Sequence, residues 1–173
     1  MGLIHIYCGD GKGKTTASVG LAVRAAGAGL KVHFVQLLKG NESSELNILR
    51  LIPEITISRC EKNYGFTFSM TSEDKQNITE SHNLILKEAI KLAESNMLNM
   101  LIIDEFNTAY QHGLLDRELA KNLVLNKPEK LELILTGRNP DKIFIKAADY
   151  VSEISAVKHP YKNGITARRG IEY

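Results

Sequence analysis

Eight consecutive residues constrain this chain more than any others: Gly9-Asp10-Gly11-Lys12-Gly13-Lys14-Thr15-Thr16. They lie between an apolar run, Leu3 to Cys8, and an Ala-, Val- and Leu-rich segment, Thr15 to Ala28, that closes at Gly27 and Gly29. The first segment reads as a buried strand and the second as a helix with glycine at its C-terminal end. A glycine-rich turn between a strand and a helix is where a phosphate loop must sit. Glycines let backbone N–H groups turn toward phosphate oxygens without Cβ clashes. The helix N-terminus adds its partial positive charge. Lys14 reaches phosphate as a point charge, and the Thr15 hydroxyl is a ligand for Mg²⁺. The usual spacing is G-x-x-x-x-G-K-[ST], but the position five before Gly13 is Cys8. The loop is therefore one residue tighter, G-x-x-x-G-K-T. A glycine turn without a ligand would not require three glycines, two lysines and this flanking pattern together. Gly9, Asp10, Gly11, Lys12, Gly13, Lys14, Thr15 and Thr16 are the expected nucleotide-binding set.

The rest of the chain alternates in the same way. Strands are expected at Lys31 to Leu37, Glu54 to Ser58, Asn99 to Asp104, Leu131 to Thr136 and Tyr150 to Val157. Helices are expected at Ser44 to Leu51, Thr71 to Ser95, Asp116 to Leu125 and Pro140 to Ala148. In the longest helix, Ile78, His82, Ile85, Ala89 and Ala93 share one stripe, and Thr71 with Asp74 has capping-box spacing. On such a stripe His82 reads as a satisfied core residue. Asn163-Gly164 is a hairpin-turn signal. The alternation predicts an α/β fold: a single P-loop domain over residues 1–173, its mostly parallel sheet covered by helices on both faces.

Composition removes other classes. The 173 residues carry 22 Lys+Arg against 20 Asp+Glu, a net +2 that supports neither a nucleic-acid nor a polybasic membrane surface. The two cysteines, Cys8 and Cys60, form no CxxC pair, so a disulfide framework and a cysteine zinc site both drop out. The five histidines show no HxxxH or His-Cys ligand spacing. No apolar run is long enough to span a membrane, and the N-terminus lacks a secretory pattern. A reduced cytoplasmic compartment is expected.

A second signal is Met100-Leu101-Ile102-Ile103-Asp104-Glu105, an apolar strand that delivers two acids at its carboxyl end. Ligands of open parallel sheets bind at those ends. Asp104 is expected to hold Mg²⁺, directly or through water, and Glu105 to do the same or to polarise a water. The bland alternative, a strand that simply ends in solvated acids, loses ground beside the phosphate loop. Arg138 follows another strand edge and is either a phosphate contact or a surface arginine.

Taken in order, several segments resemble the ATP:corrinoid adenosyltransferases, a family with a RecA-like P-loop fold. The tight Gly9–Thr16 loop matches first. Gln36-Leu37-Leu38-Lys39-Gly40 resembles the family's Gln-Phe-Ile-Lys-Gly, and Gly65-Phe66-Thr67-Phe68 its Gly-Phe-Thr-Trp. Asp104-Glu105-Phe106-Asn107, Thr136-Gly137-Arg138, Lys158-His159-Pro160 and Arg169-Gly170-Ile171-Glu172-Tyr173 follow in register. The resemblance spans essentially the whole chain. It implies that Co(I) of a reduced corrinoid, cobalamin or a precursor, attacks the 5′ carbon of ATP and that inorganic triphosphate leaves. Co(I) is itself the nucleophile, so no serine, cysteine or general base is required. Lys12, Lys14, Thr15 and Mg²⁺ would neutralise the leaving group.

The same resemblance assigns Phe66 and Phe68 to the corrinoid, where apolar rings displace the lower axial ligand and ease reduction of Co(II). Two residues at i and i+2 of an extended segment do face one side. Phe68 stands where the family often has Trp, and the alternative is a pair of core phenylalanines. Catalytic roles therefore fall to Lys14, Thr15, Glu105, Phe66 and Phe68. A flavoprotein electron donor and a homodimer are implied by the resemblance alone. Glu45 corresponds loosely to a family glutamate after the second strand. The first strand is expected from Leu3, without the N-terminal extension that helps cover the corrinoid in some members. That cover would fall to the Phe66–Phe68 loop or a neighbouring subunit. Two other classes stay open from the residues themselves: a P-loop ATPase or kinase of another substrate, and a nucleotide-gated binding module.

Overall fold

Alternating apolar runs of the kind read above can bury their backbone polar groups only by pairing side by side, and in the computed structural model they do so in one sheet. The structure describes residues 1–39, 43–60 and 70–172. Among these residues six strands, β1 (Ile4–Cys8), β2 (Val32–Gln36), β3 (Ile55–Arg59), β4 (Met100–Asp104), β5 (Glu132–Thr136) and β6 (Tyr150–Glu153), lie in the order β3-β2-β4-β5-β1-β6. Every neighbouring pair is parallel. The helices are α1 (Lys14–Gly27), α2 (Ser44–Leu49), α3 (Ser72–Glu94), α4 (Phe106–Gln111), α5 (Arg117–Leu125) and α6 (Lys142–Ala147).

Every residue of β2 and β4 is buried; β4 accordingly reads as a continuous apolar run up to Asp104, while β2 buries His33 and Gln36 among its apolar residues. Two cores result. On one face Ala22, Ala25 and Ala26 of α1 and Leu46 and Leu49 of α2 cover Phe34, Ile102 and Ile134. On the other, α3 to α6 cover Val35, Ile103 and Leu135. The stripe Ile78, His82, Ile85, Ala89 and Ala93 is the buried face of α3, as its spacing predicts. Its capping box is formed: the Thr71 hydroxyl accepts from the Asp74 N–H, and Asp74 accepts from the Thr71 N–H.

Two expectations are corrected and one helix is added. Helix α4 begins one residue after β4 and is too short for a periodic apolar stripe, so no sequence pattern announces it. The strand expected over Tyr150 to Val157 stops at Glu153, because the next residue, Ile154, turns its N–H to the Cys8 carbonyl and its carbonyl to Gly11. Asn163-Gly164 does not close a hairpin: Pro160–Asn163 is a 3₁₀ turn with Gly164 left-handed at its end. No strand flanks it among the described residues. Cys8 and Cys60 are both buried, and Cys60 Sγ accepts from the Ser81 hydroxyl at 3.2 Å.

Candidate active site

The carboxyl ends of β1, β5, β4 and β2 lie side by side, and each contributes side chains to one place. From β1 comes the Gly9–Thr16 loop. Its middle is tied to the exit of β6, where the Gly11 N–H donates to the Ile154 carbonyl at 2.7 Å. A Cβ on Gly11 would stand 2.7 Å from that carbonyl oxygen, and one on Gly9 2.4 Å from it. Close backbone approach is thus what these glycines permit, and the Gly11 amide is spent on β6 rather than turned to a ligand. The first amides of α1 have no intrahelical acceptor; Ala17 is the first to bond back, to the Gly13 carbonyl. Those amides are the donors this loop offers an anion. The Lys14 ammonium reaches across the loop to the carbonyls of Gly9 and Gly11, at 2.8 and 2.9 Å. Burial pushes Lys14 below its ordinary value; Glu105 opposes that shift and Arg138 adds to it.

Asp104 ends β4 fully buried and is the hub of the site. Its Oδ1 accepts from the Thr136 hydroxyl at 2.7 Å and from the Thr15 hydroxyl at 2.9 Å. Its Oδ2 lies 3.0 Å from the ammonium of Lys39, three residues past the end of β2. Lys39 also reaches Thr15 Oγ1 at 3.3 Å and Glu45 Oε1 at 3.6 Å. Burial alone would lower the Lys39 ammonium, but Asp104 first, then Glu45 and Glu105, hold it above its ordinary value. Gln36, in register with Asp104 across the sheet, donates to Ser43 and Glu45. Its carbonyl oxygen is buried without a partner among the described residues.

Glu105 takes a left-handed conformation, φ 61°, and caps α4. Thr136 fixes that turn, since its hydroxyl accepts from the Glu105 N–H at 3.0 Å while donating to Asp104. Gly137, at φ 128°, runs so close to α4 that a Cβ would lie 2.8 Å from the Thr108 nitrogen. This close passage sets Arg138 at the lip of the phosphate loop, its Nε 3.9 Å from Asp10. Arg138 is exposed there.

The donor set suits magnesium. A hydroxyl and a carboxylate are hard oxygen ligands, and on the strand paired with Asp104 the Gln36 carbonyl oxygen is a further buried acceptor with no partner among the described residues. Of the residues expected from sequence, Gly9 to Thr16, Asp104, Glu105 and Arg138 converge on this one edge. Phe66 and Phe68 lie outside the described residues. Lys39 and Thr136, quoted in matching segments but given no role by the sequence, are part of the hub. Glu45, only loosely matched, also joins it.

The whole chain, residues 1–173, matches the family model described as ATP:corrinoid adenosyltransferase BtuR/CobO/CobP. A corrinoid adenosyltransferase of Pseudomonas aeruginosa is 34% identical over 99% of this chain and 84% of its own length. One from Escherichia coli K12 is 32% identical over 99% of this chain and 86% of its own length. Among solved structures, a KaiC-like protein of Pyrococcus horikoshii superposes with a TM-score of 0.52 over 88% of this chain and 71% of its own. At 18% identity that likeness speaks for the P-loop fold alone.

Proposed function

Since the chain belongs to the ATP:corrinoid adenosyltransferase family, we propose that it acts on the Co(I) form of cobalamin or a cobalamin precursor, with ATP as adenosyl donor and triphosphate as leaving group. The family accounts for transfer of an adenosyl group from ATP to a corrinoid, and the comparisons do not favour an ATPase or kinase of another substrate class. The observation that carries the finer reading is the charge arrangement. One edge of the sheet gathers Lys14, Lys39, the first amides of α1 and a hydroxyl–carboxylate pair, with Arg138 at its rim and Lys12 exposed on the loop. Such an edge is built to bind and stabilise a polyanion.

In this reading the cobalt electron pair forms the Co–C bond to the 5′ carbon as the C5′–O bond breaks, and triphosphate departs with that bond's electrons. The chain's work is electrostatic and geometric. Lys12 and Lys14 neutralise charge that grows on the leaving oxygen, and the α1 amides hold the phosphates in line. Thr15 and Asp104 would hold magnesium, which would add positive charge against the triphosphate. Glu105, at its fixed left-handed turn, would serve as a further acid at that ion. Arg138 would meet phosphate from the rim. Phe66 and Phe68 are assigned to the corrinoid by resemblance. A flavoprotein electron donor, a homodimeric assembly and a cytoplasmic location complete the proposal. Among the described residues no helix is long and apolar enough to cross a membrane.

The test is the product formed from ATP with and without chemically reduced cobalamin. Triphosphate released only with the corrinoid is the expected result. ADP and phosphate released without it would overturn the reading. Nucleotide-dependent partner binding without turnover would point instead to a binding module.

A further inference from the structure

Lys39 lies outside the phosphate loop, yet three features of the backbone deliver its ammonium to the hub. Leu38 is left-handed, φ 60°, a conformation unusual for a residue with a side chain. Its N–H donates to His82 Nε2 on α3 at 3.4 Å, and His82 Nδ1 donates to the Leu114 carbonyl at 3.0 Å. That pairing requires the neutral ring with its proton on Nδ1. On the other side, the Arg59 guanidinium donates to the Lys39 carbonyl at 2.9 Å. A lysine that merely neutralised Asp104 would need none of this and would have no reason to touch Thr15. Lys39 instead sits on both Asp104 Oδ2, at 3.0 Å, and Thr15 Oγ1, at 3.3 Å. Those are the oxygens a magnesium ion would take. Two cations cannot share one pair of oxygens at such distances without strong repulsion.

We infer that Lys39 is a phosphate-binding residue of this enzyme: its ammonium guards the Asp104–Thr15 oxygen pair and passes to the triphosphate when magnesium takes that pair. The inference rests on the proposed function, in that magnesium and triphosphate meet at this edge. The exchange keeps the buried Asp104 carboxylate paired, by Lys39 before magnesium enters and by the ion afterwards, and brings a positive charge to the leaving group. His82 and Arg59 are positioning residues for it.

The test uses the full chain, Lys39→Gln and Lys39→Arg, with two ligands measured separately. Mn²⁺ without nucleotide is followed by the electron paramagnetic resonance of the free ion, and inorganic tripolyphosphate with Mg²⁺ by calorimetry. Lys39→Gln is expected to bind Mn²⁺ several-fold more tightly, because its competitor is gone, and tripolyphosphate roughly tenfold more weakly, the loss of one charge-assisted bond. Lys39→Arg is expected to keep tripolyphosphate binding near wild type. Both affinities of Lys39→Gln falling together, or neither changing, would reduce Lys39 to a structural partner of Asp104. Should Lys39→Gln not fold, acylation of Lys39 in the wild-type chain, read by mass spectrometry, decides the matter. Mg²⁺ alone should raise its labelling and Mg²⁺ with tripolyphosphate should suppress it. Labelling indifferent to both would overturn the inference. The wild-type product assay reports on the reaction itself, so the two readings fail independently.

Discussion

Asp104 meets three partners at once, the hydroxyls of Thr15 and Thr136 and the ammonium of Lys39. Asp104→Asn keeps the shape but turns a charged acceptor into a neutral one, and leaves Glu45, at 3.6 Å, as the carboxylate beside Lys39. Urea unfolding at neutral pH should show a loss of about 1.5–3 kcal/mol, the worth of a hydrogen bond to a charged group. Unchanged stability would mean that the three contacts contribute nothing net. At the corrinoid, Phe66→Ala should slow reduction of bound Co(II) far more than it weakens ATP binding. Equal loss of both would remove the aromatic role. Asp104 was legible in the sequence because an apolar run ended in two acids. Lys39 was not, because a lysine three residues past a strand carries no chemical signature until the Gln36–Asp104 register brings the two strand ends together.

Between β6 and the phosphate loop the contact is backbone to backbone, and it predicts an effect confined to the site. Gly11→Ala places a Cβ 2.7 Å from the Ile154 carbonyl oxygen, so the loop must lift away from the strand. ATP binding, followed by calorimetry, should fall by roughly tenfold or more, since lifting the loop misplaces the α1 amides and Lys14 together. The melting temperature should fall only slightly, because the loop lies outside both cores. A normal ATP affinity would show that the loop tolerates the displacement. The loop and its flanking elements are legible in the sequence because glycine spacing and apolar runs are local signals. Helix α4 is not, since it starts straight after β4 at a left-handed Glu105 held by Thr136 on another strand. Nor is the part played by Ile154: an apolar residue gives no hint that its carbonyl is the part in use.

Two buried histidines make the fold sensitive to acid. Burial holds His33 at about 4, and burial holds His82 at about 4 against its bond to the Leu114 carbonyl. Both folded values lie below the ordinary value near 6.5. The unfolded chain therefore binds more protons between about pH 6.5 and 4, and stability falls as pH drops through that window. Above it both rings are neutral in either state and their contribution is flat. Each histidine can cost on the order of 3 kcal/mol by pH 4. Urea unfolding from pH 7.5 to 4.5 should show the decline, and His82→Gln should make it visibly shallower. An identical slope in the variant would clear His82. The expected α/β architecture, with helices on both faces, holds because periodicity reports burial. Strand order is a different matter: that β1 ends up between β5 and β6 is decided by pairing across the whole chain.

That placement of β1 has a consequence in time. The Asp149 carboxylate accepts the Ile4 N–H across 145 residues of chain, and Ile154 reaches back to Gly11 across nearly as many. On the ribosome the phosphate loop is made long before the partners that shape it. Until those partners arrive, the chain carries the glycines and lysines without the geometry that makes them a receptor. Competence to hold ATP thus waits for the strand that completes the sheet beside β1.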